Sequence, residues 1–166
     1  MNYFISTGEL SGDLHASYIV EKIKNLDKNA KVYAIGGMNL KKQDVEIVRD
    51  IDSLAIMGFV EVVKNFNFLK KVLEETVEFI LSNNIDRVVL VDYGGFNLKL
   101  LERLKLKKPS LKITYYIPPK VWIWSKKRVP KIAKADEILV IFPWEVDFYK
   151  KENVKALYFG NPFMEK

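Results

Sequence analysis

Apolar positions along the chain fall into two patterns, short extended runs and longer helical stripes, and the two alternate from one end to the other. Asn2 to Ser6, Lys31 to Ile35, Glu46 to Val48, Val88 to Val91, Leu111 to Ile117, Glu137 to Phe142 and Ala156 to Phe159 read as strands, rich in β-branched and aromatic residues. Helical spacing fills the gaps: Leu14 to Leu26, a brief turn before Glu46, Leu54 to Leu81, Gly95 to Lys105, Arg128 to Ala135 and Pro143 to Lys151. This alternation predicts an α/β fold, a Rossmann-like and mostly parallel sheet with helices on both faces, in one domain over residues 1–166.

Two stretches set the picture further. Val88 to Val91 is an unbroken apolar run, as expected of a parallel strand buried on both faces, and it makes this strand central. Leu54 to Leu81 is the most apolar helical stretch, with Phe66, Leu69, Leu73, Val77 and Ile80 on one core-facing stripe. Phe59, Val60, Val62, Val63 and Phe68 do not all fit that stripe and lie among Lys64, Lys70 and Lys71. Two readings are open for this surplus: burial in a wide core, or exposure beside positive charge as in interfacial helices.

Candidate chemistry gathers where strands end. The central strand runs into Asp92, followed by Tyr93, Gly94 and Gly95, so a carboxylate stands where the chain turns sharply. Ligands in open α/β sheets sit beyond such strand ends, and Asp92 there either works on a substrate or caps the next helix. The first strand leads into Thr7 to Asp13, where Gly8 and Gly12 let backbone N–H groups face a ligand and Ser11 or Asp13 can cap the helix; taken alone the signal is weak, and a plain βα turn is the commoner reading. Gly36 and Gly37 close the second strand. The fifth strand opens into PPKVWIWSKKR, where Trp122 and Trp124 stand beside cations, suited to sugar or lipid stacking or else to plugging a loop.

Composition narrows the function classes. The longest apolar runs fall far short of the roughly 18 residues of a spanning helix, and the N-terminus meets Glu9 too soon for a signal peptide, so a cytoplasmic placement is expected. No cysteine and a single His15 remove thiol nucleophiles and make zinc chemistry an unsuited reading, so neither metal nor cofactor is expected. The net charge of +6 is concentrated between Lys99 and Lys134, where Glu102 is the only acid, so this half is expected to prefer anions unless it is simply a solvated basic face. No recognition motif accompanies that charge, and nucleic acid is not an expected partner.

Several stretches together resemble the lipid-A-disaccharide synthases, inverting glycosyltransferases of the two-domain GT-B type. They are GELSGDLHA at Gly8 to Ala16, GG at Gly36, LAIMGFVEV at Leu54 to Val62, VDYGGFN at Val91 to Asn97, YYIPPKVWIW at Tyr115 to Trp124, RVPKI at Arg128 to Ile132, IFPWE at Ile141 to Glu145 and FGNP at Phe159 to Pro162. The pattern departs from the family at Gly94, Pro118 and Asn161, where Pro, Ser and His are usual. The resemblance covers the N-terminal, acceptor-side half, so a C-terminal UDP-sugar-binding half would be absent, and the isolated chain is expected to be inactive unless that half is encoded separately. It implies transfer from UDP-2,3-diacylglucosamine to 2,3-diacylglucosamine 1-phosphate at the cytoplasmic face of the inner membrane.

In that reaction one base takes the proton of the acceptor hydroxyl, and Asp92 is the expected base. The resemblance places Gly8, Glu9, Ser11, Gly12, Asp13, Met57, Gly58, Glu61, Asn97, Pro119, Trp122, Trp124 and Arg128 on the substrate side, with Arg128 and its neighbouring lysines toward the acceptor phosphate. Val60, Val62, Val63, Phe66, Phe68, Lys64, Lys70 and Lys71 are the expected membrane contacts, and His15 has a structural place. The alternative is a non-catalytic binding or regulatory module that keeps the acceptor-domain fold.

Overall fold

The computed structural model describes residues 1–54, 64–120 and 126–161, with the backbone alone for 64–66. Among the described residues seven strands form one sheet: β1 (Asn2–Ser6), β2 (Lys31–Gly36), β3 (Glu46–Asp50), β4 (Arg87–Val91), β5 (Lys112–Tyr116), β6 (Glu137–Val140) and β7 (Leu157–Tyr158). Their spatial order is β3-β2-β1-β4-β5-β6-β7, and every pair is parallel. The order reverses direction between β1 and β4, which is the switch point of a doubly wound sheet and places β4 at its centre.

The helices among the described residues are α1 (Leu10–Leu26), α2 (Met38–Lys41), α3 (Lys64–Ser82), α4 (Gly94–Lys107), α5 (Val129–Ile132) and α6 (Pro143–Lys151). Alternation along the strands sorts the core into two faces. Ile5, Val32, Ala34, Val89 and Val91 pack with Ala16, Val20 and Leu40 of α1 and α2. Phe4, Ile35, Val88, Leu90 and Ile113 pack on the other side with Val72, Leu73, Val77 and Ile80 of α3 and with Leu100, Leu101 and Leu104 of α4. The unbroken apolar run of β4 is thus buried on both faces, the physical reason it carries no polar residue until its end.

Boundaries moved where local propensity is a poor guide. The first helix starts at Leu10, four residues before the position its apolar pattern predicts. The helix expected over Arg128 to Ala135 is a 3-10 turn, Lys126–Arg128, followed by the single turn of α5, with Pro130 at its start. On α3, Leu73, Val77 and Ile80 of the expected stripe are buried, joined by Val72 and Thr76. Phe68, expected at a membrane, is instead partly buried against this core, with the Arg49 guanidinium 5.8 Å from its ring. Phe59, Val60, Val62 and Val63 lie outside the described residues, as do the side chains of Lys64 and Phe66.

Candidate active site

The carboxyl ends of β4, β5 and β6 surround a cavity of about 300 Å³ lined by Asp92, Gly94, Gly95, Ile117, Pro118, Pro119, Lys120, Arg128 and Ile141. Three of the residues that shape it, Asp92 (φ 49°), Tyr93 (φ 49°) and Ile117 (φ 56°), have left-handed backbones without being glycine. Each such residue costs about 1–2 kcal/mol, and a β-branched one is rare there. Strain of this kind persists where surrounding contacts over-determine it.

Asp92 follows β4 directly. Its N–H donates to the Tyr116 carbonyl at 3.0 Å, continuing the ladder to β5 by one more bond. Its carbonyl accepts from Asn97 Nδ2 at 2.8 Å and from the Tyr115 hydroxyl at 3.0 Å. The carboxyl is half-buried, and desolvation raises its pKa above the ordinary carboxylate value, against the opposing Tyr93 N–H bond and the charge of Lys120. A carboxylate made more basic by burial and set beside cations can take a proton from a hydroxyl while an anionic group is held close by.

The switch point itself is filled by the protein's own groups. A Cβ built on Gly8 would run into the Tyr93 ring, so that ring rests directly on the Gly8 backbone. Tyr93 also meets Phe96 at 5.8 Å between ring centres. Below them Asn97, fully buried, donates through Nδ2 to the carbonyls of Ser6 and Val91 as well as Asp92, while its Oδ1 accepts from the Ser6 hydroxyl at 2.7 Å. The cavity therefore opens one strand over from the switch point, toward β5 and β6.

Comparison with known proteins gives this geometry its context. Residues 3–166 match the family model described as Lipid-A-disaccharide synthetase. The chain belongs to this family. It is 37% identical over 163 residues to the lipid-A-disaccharide synthase of Geobacter metallireducens, covering 98% of this chain and 42% of that protein. It is 33% identical over 156 residues to the enzyme of that name from Coxiella burnetii, covering 93% and 41%. The chain thus spans less than half the length of these curated relatives. Among solved structures, a UDP-GlcNAc 2-epimerase from Neisseria meningitidis bound to UDP-GlcNAc superposes with a TM-score of 0.71 at 9% identity, over 97% of this chain and 46% of that one. A second UDP-N-acetylglucosamine 2-epimerase gives 0.72 at 13%, over 97% and 48%. At such identities the likeness is one of fold.

With the family in place, the residues expected on the substrate side separate into groups. Asp92, Pro119 and Arg128 line the cavity together. The space over Gly94 is taken by Pro119, whose ring would lie 2.6 Å from an added Cβ, with an Arg128 guanidinium nitrogen at 3.4 Å.

Asp13, expected in the cleft or as a cap of its own helix, does neither. It is fully buried and accepts from the N–H groups of Gly37 at 2.7 Å, Asn39 at 3.0 Å and Leu40 at 3.4 Å, tying α1 to the turn after β2. Gly36 and Gly37 leave room for that carboxylate and for Leu40. Gly12 is buried in the first turn of α1, and Ser11 is exposed there. Glu9 precedes α1 without a side-chain cap, and its charge reaches the Tyr93 hydroxyl, whose pKa is raised first by burial and then by Glu9. Asn97 serves the backbone rather than an open cleft. Met57, Gly58, Glu61, Trp122 and Trp124 lie outside the described residues.

The basic run is partly neutralised by its own Glu102 and by acids from outside it. Arg103 pairs with Glu74, Lys105 with Asp136, Lys126 with Glu152 and Lys131 with Glu102. Lys120 and Arg128 turn to the cavity instead. Lys120 was not singled out from the sequence, although its place directly after two prolines at a strand end is a usable signal. Ile117 and Ile141 gave none, because each reads as the end of an apolar strand.

Proposed function

We propose that this chain is the acceptor-side half of a lipid-A-disaccharide synthase, with Asp92 as the base that takes the proton from the acceptor hydroxyl as it attacks the anomeric carbon of a UDP-activated diacylglucosamine. The observation that carries the reading is the pairing, in one cavity, of a half-buried carboxylate whose pKa is raised with two cations, Lys120 and Arg128. At about 300 Å³ the cavity is at the small end of ligand sites, suited to one sugar ring with its phosphate rather than a whole acylated lipid. Arg128, beside Gly94 and Pro119, presents its guanidinium for the acceptor phosphate, where a bidentate pair gives both strength and orientation. The UDP of the donor then belongs to the further length that the curated relatives have.

Acylated substrates come from a bilayer. No helix among the described residues is long and apolar enough to cross one. We assign a peripheral contact at the cytoplasmic face to the stretch leading into α3, with exposed Lys70 and Lys71 facing anionic headgroups. Phe68, partly buried against the core, is left out of that assignment.

Binding of 2,3-diacylglucosamine 1-phosphate, presented in micelles, tests the reading. Arg128→Ala should weaken it about tenfold, the equivalent of about 1.4 kcal/mol, and should leave a phosphate-free analogue unaffected. Equal binding of the two ligands by the unaltered chain would remove the phosphate assignment.

A further inference from the structure

We propose that Asn97 and Tyr115 are positioning residues for Asp92: together they clamp its main-chain carbonyl, so that the left-handed turn persists and the carboxylate stays at the cavity wall. The catalytic meaning of this clamp rests on the acceptor-side reading above; its geometry does not.

The Asp92 peptide is held from both sides. Its N–H is engaged by the Tyr116 carbonyl, and its own carbonyl receives Asn97 Nδ2 at 2.8 Å and the Tyr115 hydroxyl at 3.0 Å. Both donors are fully buried. Asn97 in turn is locked by Ser6 of β1, through the Ser6 hydroxyl on Oδ1 and through the Ser6 carbonyl on Nδ2 at 3.1 Å. With Val91 at 3.3 Å, two amide hydrogens serve three carbonyls, all at the ends of two adjacent strands.

Such groups are costly to bury, and here the Tyr115 hydroxyl and the shortest bond of the Asn97 amide both go to the carbonyl of a strained residue. β1, β5 and α4 converge on one peptide. Around the Asp92 carboxyl stand Lys120 and Arg128 at the cavity, Tyr115 from β5 and the Tyr93 N–H; burial there outweighs the favourable partners. Releasing the carbonyl lets the turn relax and the carboxylate swing toward water.

The test uses Tyr115→Phe, which keeps the ring and the packing, and Asn97→Ser, each in the full 166-residue chain. The Asp92 carboxyl is titrated by carbon-13 NMR. Thr7→Val is the control, because it removes a buried hydrogen bond to the Ile35 carbonyl without touching Asp92. In both clamp variants the Asp92 titration should move down toward the ordinary carboxylate value, while the control leaves it in place.

Where the protein is extended to the full length of its relatives, Tyr115→Phe should lower kcat about 10- to 100-fold with the acceptor KM unchanged. It should have no further effect on an Asp92→Asn background. An unmoved Asp92 titration in folded Tyr115→Phe and Asn97→Ser would overturn the positioning role. Moved titrations combined with full turnover by Asp92→Asn would keep the clamp and remove only the assignment of Asp92 as base.

Discussion

Replacing Asp13 with alanine removes a fully buried carboxylate that serves three main-chain N–H groups. The side chain accepts two good main-chain hydrogen bonds, from Gly37 at 2.7 Å and Asn39 at 3.0 Å, and a long one from Leu40 at 3.4 Å. A hydrogen bond to a charged group is worth about 1.5–3 kcal/mol net, and its loss here also strands buried N–H donors. Counting only the two short bonds gives a destabilisation of about 3–6 kcal/mol. For a chain of this size that is a fall of about 6–24 °C in Tm. Asp13→Asn keeps one acceptor oxygen and turns an amide against a donor, so about half the loss is expected.

Urea and thermal unfolding followed by circular dichroism read the effect. Acceptor affinity per folded molecule, measured on the asparagine variant, should be within twofold of the parent. An alanine variant within about 1 kcal/mol of the parent would refute the tie between α1 and the turn after β2. Normal stability with lost acceptor binding would return Asp13 to the substrate side.

Two further outcomes follow from the same geometry. Gly8→Ala drives a methyl into the Tyr93 ring and should cost about 1–3 kcal/mol by urea denaturation, with the cost largely abolished in a Tyr93→Ala background; an additive double mutant would contradict the seating of that ring. For Asp92 the raised pKa sets the sign of a pH effect: above about pH 3.9 the unfolded chain releases a proton that the folded chain retains, so stability falls as pH rises through the folded pKa. Asp92→Asn should therefore have the higher urea midpoint at pH 7 and lose that advantage near pH 3, and a lower midpoint at pH 7 would count against the desolvated carboxyl.

Much of this architecture was legible because it depends on local period. The strand runs, the central place of Val88 to Val91 and the proline-opened helix at Pro143 all follow from patterns a few residues long. What could not be read was the partnership of groups far apart. Asp13 looks like a helix cap beside Ser11, yet its partners lie 24 to 27 residues on. Asn97 reads as a cleft residue, while Ser6, 91 residues earlier, decides its role. The basic stretch carries one acid of its own, and only folding brings Glu74, Asp136 and Glu152 against it. The left-handed turn at Asp92 and Tyr93 was hinted at by the two glycines that follow, but the strain falls on the residues before them.

The central claim is that the Asp92 carboxylate takes a proton from the acceptor, and one substitution puts it to the test. Asp92→Asn preserves shape and removes basicity. In the protein extended to the full length of its relatives, kcat for disaccharide formation should fall about 10²- to 10⁴-fold while acceptor affinity stays within twofold. A fall of less than about tenfold, or a loss confined to acceptor binding, would contradict Asp92 as the base.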